Sequence, residues 1–180
     1  MGIRKAAEKD VAAVADIYDR LHRLEETGGC VIGWQRGVYP TRKTAEEALA
    51  CGELFVLEEE GGILAAMRIN QEQVPEYANV SWSFEAEPEE ILVMHTLVVD
   101  PAEKGRGLGG RMIGFYEDSA RRQGCSCLRI DTNEKNVTAR AMYRHLGYRE
   151  AGITPCVFNG IEGVGLVCLE KSLRADGKRG

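Results

Sequence analysis

The sequence predicts a mixed α/β (α+β) fold, and three observations carry that prediction. Apolar residues recur at helical spacing in some stretches and as strand-like runs in others, and the two kinds alternate along the chain. One run, Ile91–Val99, is apolar almost throughout, as a strand covered on both faces requires. A glycine-rich turn then leads from that run into an amphipathic helix.

The elements follow in order. Ile3–Ala6 reads as a short first strand. Val11, Val14, Ile17 or Tyr18, Leu21 and Leu24 recur at helical spacing, and Gly28-Gly29 end that helix. Thr41 is an N-cap for a second helix through Leu49, with Gly52 as its stop. Leu54–Glu58 and Ile63–Ile69 form a hairpin about Gly61-Gly62. The polar stretch that follows, with Pro75, Tyr77, Trp82 and Phe84, gives no clear strand signal. After Ile91–Val99 and the glycine turn, a helix runs to about Arg122 and stops at Gly124. Ser126–Thr132 is a strand, Val137–Leu146 a helix closed by Gly147, and Tyr148–Ala151 and Val164–Glu170 the last strands. The closing K-S-L-R-A-D-G-K-R-G reads as a frayed tail.

Composition narrows the function. The 180 residues, 44% hydrophobic and 28% charged, suffice for one packed domain, and neither a repeat nor a composition break divides them. A net charge of −5 argues against a nucleic-acid surface. The N-terminus lacks the apolar core of a secretory signal, and no run reaches the roughly twenty apolar residues of a membrane span, so a cytoplasmic protein without membrane attachment is expected. The six cysteines contain no C-x-x-C pair and are expected to be reduced; with the three dispersed histidines they predict no metal site. Cys125 and Cys127 are expected to share one face of a strand.

The chemistry concentrates at L-V-V-D-P-A-E-K-G-R-G-L-G-G-R, residues 97–111. Glycines at a helix start let backbone approach a bulky anion, and the unpaired N–H groups of the first turn point at it. Lys104, Arg106 and Arg111 add local positive charge. Gly105, Gly107 and Gly110 also spell G-x-G-x-x-G, with Asp131 about twenty residues on, as in a dinucleotide-binding oxidoreductase. In that fingerprint the strand feeds directly into the first glycine, whereas here Asp100–Lys104 intervene and only one β-α-β unit follows.

The segment resembles the GNAT superfamily of acetyl-CoA-dependent N-acetyltransferases. The cofactor signature of that family, Gln or Arg, two residues, Gly, one residue, Gly or Ala, corresponds to Lys104-Gly105-Arg106-Gly107-Leu108-Gly109, with Lys in the first place. Leu97, Val99 and Pro101 upstream, and Asn136, Ala139, Tyr143, Leu146, Gly147 and Tyr148 downstream, match as well. The resemblance covers the last half of the chain; in the first half only the element order agrees.

That resemblance implies a three-layer fold with a mixed, mostly antiparallel sheet of six to seven strands, splayed between the fourth and fifth, and about four helices. It divides the single domain into an acceptor-side front half, about 1–90, an acetyl-CoA core, about 91–151, and a last strand ending near 171. It implies that the turn Lys104, Gly105, Arg106, Gly107, Leu108, Gly109 and Gly110 holds the pyrophosphate. The open edge of Leu97, Val98 and Val99 would pair with the pantetheine arm, a form of strand addition, and offer an N–H to the thioester oxygen. Asn136 is expected at the cofactor arm or as a helix N-cap. Tyr143 matches the acid that protonates the departing thiolate, with core packing as its alternative. His95 is the expected base for the acceptor ammonium, against a buried structural histidine, with Glu89 and Glu90 competing. Trp34 and Trp82 are expected to line the acceptor pocket, and Asp131 to end its strand.

The expected activity is acetyl transfer from acetyl-CoA to a primary amine of a small molecule or peptide, by direct attack in a ternary complex. A non-catalytic acyl-CoA-binding protein is the alternative, and an NAD(P)-binding oxidoreductase a more distant one. Neither an amine nor a dimer interface is legible, although homodimers are common in the family.

Overall fold

The computed structural model describes residues 2–174. All seven strands join one sheet in the order β1-β2-β3-β4-β5-β7-β6, antiparallel except where β4 meets β5. They are β1 (Gly2–Lys5), β2 (Leu54–Glu59), β3 (Gly62–Asn70), β4 (Ile91–Val99), β5 (Cys127–Asn133), β6 (Arg149–Phe158) and β7 (Ile161–Ser172). The helices are α1 (Val11–Glu26), α2 (Arg42–Ala50), α3 (Leu108–Gln123) and α4 (Val137–His145). The helix and strand order read from the sequence is therefore the observed one.

Three apolar clusters hold the layers. Val14, Ile17 and Tyr18 of α1 and Ala45 and Ala48 of α2 pack on Val56, Ala66 and Val98. On the opposite face Met112, Ile113 and Tyr116 of α3 and Tyr143 of α4 cover Met67, Leu92, Met94, Leu128 and Ile130. The third cluster lies under the long β3–β4 connection, where Tyr77 meets Ile91, Val93, Cys127, Leu166 and Cys168. That connection contains two short 3-10 turns, Pro75–Asn79 and Pro88–Glu90, and no strand. Glu170, fully buried on β7, holds it down by accepting from the Ser83 and Phe84 N–H groups at 2.8 and 3.2 Å and from Arg149 at 3.2 Å.

Three expectations need correction. Cys125 and Cys127 do not share a face: β5 begins at Cys127, and Cys125 sits in the turn after Gly124, so the two join clusters on opposite sides of the sheet. The last strands are longer than expected, running to Phe158 and starting at Ile161. Asn159-Gly160, both at positive φ, makes the two-residue hairpin turn, and Pro155 is tolerated because β6 is the sheet edge. Lys171 and Ser172, expected to fray, complete β7, while residues 175–180 of the expected tail lie outside the described residues.

β4 and β5 pair only from Ile91↔Cys127 to Met94↔Ile130. Beyond that point β4 stays on β3 and β5 stays on β7, and the two diverge. β4 carries one extra residue there: Arg68 faces His95 and Ala66 faces Val98, so Thr96 and Leu97 stand opposite Met67 alone. Thr96 sits at φ 50°, a costly conformation for a β-branched residue. Its hydroxyl is hydrogen-bonded to that of Tyr39.

Candidate active site

The divergence opens a cleft of about 660 Å³ between β4 and β5. Its first half is made of backbone. Leu97, Val98 and Val99 line it with the strand edge that β5 has abandoned, and Gly105–Gly110 close its end. Gly107, the N-cap of α3, has φ 71° and carries no side-chain cap, so the first N–H groups of a 16-residue helix are without an internal acceptor at the cleft. A Cβ on Gly105, Gly107 or Gly110 would meet only open space, whereas one on Gly109 would lie 3.0 Å from the Met142 sulfur, so Gly109 is where α3 and α4 meet closely. Orphan donors lining an open, anion-sized cradle fit a pyrophosphate. The flanking cations contribute less than their number suggests. Glu59 binds both Arg106 and Arg111, and Glu103 binds Arg106 a second time. Lys104 makes no ion pair among the described residues.

The far end of the cleft is made of side chains from distant segments. Trp34 and Tyr39 come from the α1–α2 loop, Asp131 from β5, and Phe158, Ile161, Val164 and Leu166 from the β6–β7 hairpin. Glu25 fixes the loop that carries Trp34: its carboxylate accepts from the N–H groups of Ile32, Gly33 and Trp34 at 2.8, 2.6 and 3.3 Å. Trp34 and Tyr39 then meet edge to face, 6.0 Å apart.

Asp131 lies just past the last β4–β5 pair, half-buried and facing the cleft. Burial pushes its carboxyl up to about 6, against a hydrogen bond donated by the Tyr77 hydroxyl at 2.8 Å that favours the ionised form. Tyr143, across the cleft on α4, is almost fully buried and packs on Tyr148 at 6.0 Å. Burial, and then the nearby charge of Asp131, raise its phenol above the ordinary range, so it keeps its proton at physiological pH.

The structure brings Trp34, Leu97, Val98, Val99, residues 104–110, Asn136 and Tyr143 to one cleft. Asn136 also caps α4, its side chain accepting from the Ala139 N–H at 3.1 Å. Two expected site residues stand elsewhere. His95 does not line the cleft; it pairs with Arg68 in the regular register just before the bulge, with Nε2 2.9 Å from Asn70 Oδ1. Burial and Arg68 lower its pKa to about 4, which makes it a poor proton acceptor. Trp82 lies behind the cleft, donating to the Tyr77 carbonyl at 2.9 Å and lying 4.0 Å beneath the Arg129 guanidinium. It supports Tyr77 rather than touching the cavity. Asp131, expected only to end its strand, is instead the carboxylate at the split. The signal available in the sequence was its place five residues before Asn136, at the end of a strand next to the cofactor motif. Glu89 and Glu90 sit at the opposite end of β4 from the divergence, and Glu90 pairs with Arg174.

No described helix is long and apolar enough to cross a membrane, and no group of His, Cys, Asp or Glu among the described residues is arranged to hold a metal ion.

Comparison with known proteins places this geometry. The model of the acetyltransferase (GNAT) family matches residues 12–148. The uncharacterized N-acetyltransferase YhfO of Bacillus subtilis is 25% identical over 150 residues, 83% of this chain and 91% of its own length. A GNAT-family acetyltransferase from Streptococcus agalactiae superposes with a TM-score of 0.79 at 21% identity, over 96% of this chain and 95% of that one. The yncA protein of Salmonella typhimurium, solved with its cofactor acetyl-CoA, superposes with a TM-score of 0.69 at 21% identity, over 100% and 98% of the two chains.

Proposed function

Because this chain belongs to the GNAT acetyltransferase family, we propose that it transfers an acetyl group from acetyl-CoA to a primary amine by direct attack in the β4–β5 cleft. The observation that carries the proposal is the split itself: a free strand edge and a glycine-capped helix at one end, and at the other a carboxylate with no cation partner among the described residues. Acetyl-CoA supplies the activated acyl carbon and the thiol leaving group.

The amides of Arg106 to Gly110 hold the pyrophosphate. The edge of Leu97–Val99 binds the extended arm through main-chain hydrogen bonds and turns an N–H toward the thioester oxygen. Asn136 steadies the same arm from the start of α4. An alkylamine, with a pKa of roughly 10, arrives as an ammonium and must lose a proton before it attacks. Asp131 takes that proton, since it is the carboxylate at the cleft that no cation neutralises; its lone partner among the described residues is the Tyr77 hydroxyl. His95 is withdrawn from that role by its bond to Asn70 and its place outside the cavity. Tyr143 gives its phenolic proton to the departing sulfur.

The test is amine-dependent thiol release from acetyl-CoA. Tyr143→Phe is expected to keep acetyl-CoA affinity and lose about 10²-fold or more in kcat, as loss of a positioned proton donor does. Unchanged kcat removes Tyr143 from the mechanism. An acyl-CoA-binding protein without turnover would show tight binding and no thiol release with any amine.

A further inference from the structure

The acceptor end of the cleft has an uneven charge pattern. Of the carboxylates that line the cavity, Asp100 is held by Arg20 at 2.8 and 3.2 Å, and Glu103 is held by Arg106. Among the described residues Asp131 alone of the three has no cation partner. The basic residues that line the cleft, Lys104, Arg106 and His145, lie at the glycine turn and the end of α4, on the cofactor side. Around Asp131 the walls are Trp34, Tyr39, Phe158, Ile161 and Leu166, which belong to or pack on the apolar cluster beneath the β3–β4 connection.

Resting on the acetyl-transfer function proposed above, we infer that the acceptor is a compact monoamine: one primary ammonium group on an apolar, aliphatic or aromatic body, with no carboxylate and no second cation. The ammonium sits on Asp131, and the body lies against Trp34 and Phe158. A carboxylate beside the amine, as in a free amino acid, would be buried there with no cation to meet it. A second ammonium, as in a polyamine, would be buried against the hairpin without a second anion in the lining; Glu76, the other carboxylate near Asp131, stands on the β3–β4 connection outside the cavity. Both are uncompensated charges in an apolar wall, which is among the costlier mismatches a site can impose. A missing polar partner discriminates far more strongly than a missing methylene.

Two matched pairs test this with the full chain and acetyl-CoA, following thiol release. Phenethylamine and phenylalanine share the aromatic body and differ by the carboxylate; hexylamine and 1,6-diaminohexane differ by the second amine. The apolar monoamine of each pair is expected to show a kcat/KM at least about a hundredfold higher, the scale of an unpaired buried charge. Phe158→Arg, at a half-buried hairpin position, is expected to narrow the phenethylamine–phenylalanine gap by about tenfold while acetyl-CoA affinity, measured by calorimetry, stays unchanged. Equal or better turnover of the charged member in both pairs overturns the inferred acceptor class and leaves acetyl transfer standing. No thiol release with any of the four amines, beside intact acetyl-CoA binding, overturns the acceptor class; transfer itself falls only if amino acids, polyamines and peptide N-termini release no thiol either.

Discussion

The two ends of the cleft are built from different materials. The cofactor end is main chain: the abandoned edge of β4, and the uncapped amides that Gly107 leaves at the start of α3. Both come from one continuous stretch of about fifteen residues. The acceptor end is side chain: Trp34, Tyr39, Asp131 and Phe158 arrive from three segments more than a hundred residues apart at their extremes. Main-chain sites tolerate little change in backbone conformation but much change in side chains. Side-chain sites behave the other way, so under the proposed function acetyl-CoA binding and choice of the amine can vary independently.

Four exchanges separate the two ends. Asp131→Asn is expected to have the largest effect, lowering kcat/KM by about 10²–10⁴ while leaving acetyl-CoA binding intact. Steady-state thiol release and calorimetry on the same preparation measure both. Retained turnover would show that the acceptor end does not depend on this carboxylate.

Gly107→Val attacks the other end. It forces a β-branched residue to φ 71°, at a strain of about 1–2 kcal/mol, and puts a side chain over the anion cradle. Acetyl-CoA affinity should fall by about tenfold or more, with a modest loss in Tm. Affinity unchanged from the parent would mean that the turn does not hold the pyrophosphate.

Tyr77→Phe is subtler. Asp131 acts as a base only when ionised, so activity rises as pH increases through its folded pKa of about 6. The Tyr77 hydrogen bond holds that value down against burial; without it the acid limb of kcat/KM moves to higher pH, by roughly half a pH unit or more. Glu76, on the same connection, pushes in the same direction and stays in place. A limb that does not move breaks the link between the β3–β4 connection and the reaction.

His95→Gln should have the smallest effect on catalysis and a measurable one on stability. The imidazole titrates near 4 in the fold and near 6.5 unfolded, so between those values the unfolded chain binds more protons and His95 costs stability as pH falls. Asp131, raised from 3.8 to about 6, contributes the opposite slope. The variant should gain, relative to the parent, on the order of 1–3 kcal/mol between pH 6.5 and 4 by thermal unfolding, with kcat within about twofold. A large loss of kcat would return His95 to the mechanism.

The same division of materials explains what was legible in the sequence. Gly105, Gly107 and Gly109, with Leu97 and Val99 before them and Asn136 and Tyr143 after, keep their spacing because one backbone path needs it. The split between β4 and β5 could be expected from the family resemblance that they carry. His95 was expected at the site because it is a polar residue on the strand before the glycine turn, whereas the fold pairs it with Arg68 just before the bulge and outside the cleft, and nothing in I-L-V-M-H-T-L-V-V announces where the strand departs from its neighbour. Trp82 looked like a pocket residue because its contact with Tyr77 and Arg129 depends on how the β3–β4 connection folds back, which Glu170 decides from far along the chain. Asn159-Gly160 was a signal for the β6–β7 hairpin that the reading of short last strands passed over, and with it Phe158 at the far end of the cleft.

The bulge at Thr96 carries one more consequence. It puts the two halves of β4 out of phase, so that Val98 looks the way His95 does although three positions separate them. Chain length at this point therefore matters more than the identity of the inserted amino acid. Serine in place of Thr96 would be a local adjustment. Deleting the residue would restore the even alternation of the strand, with Leu97, Val98 and Val99 still on the faces they hold now, and would take away the local kink at the point where β4 leaves β5.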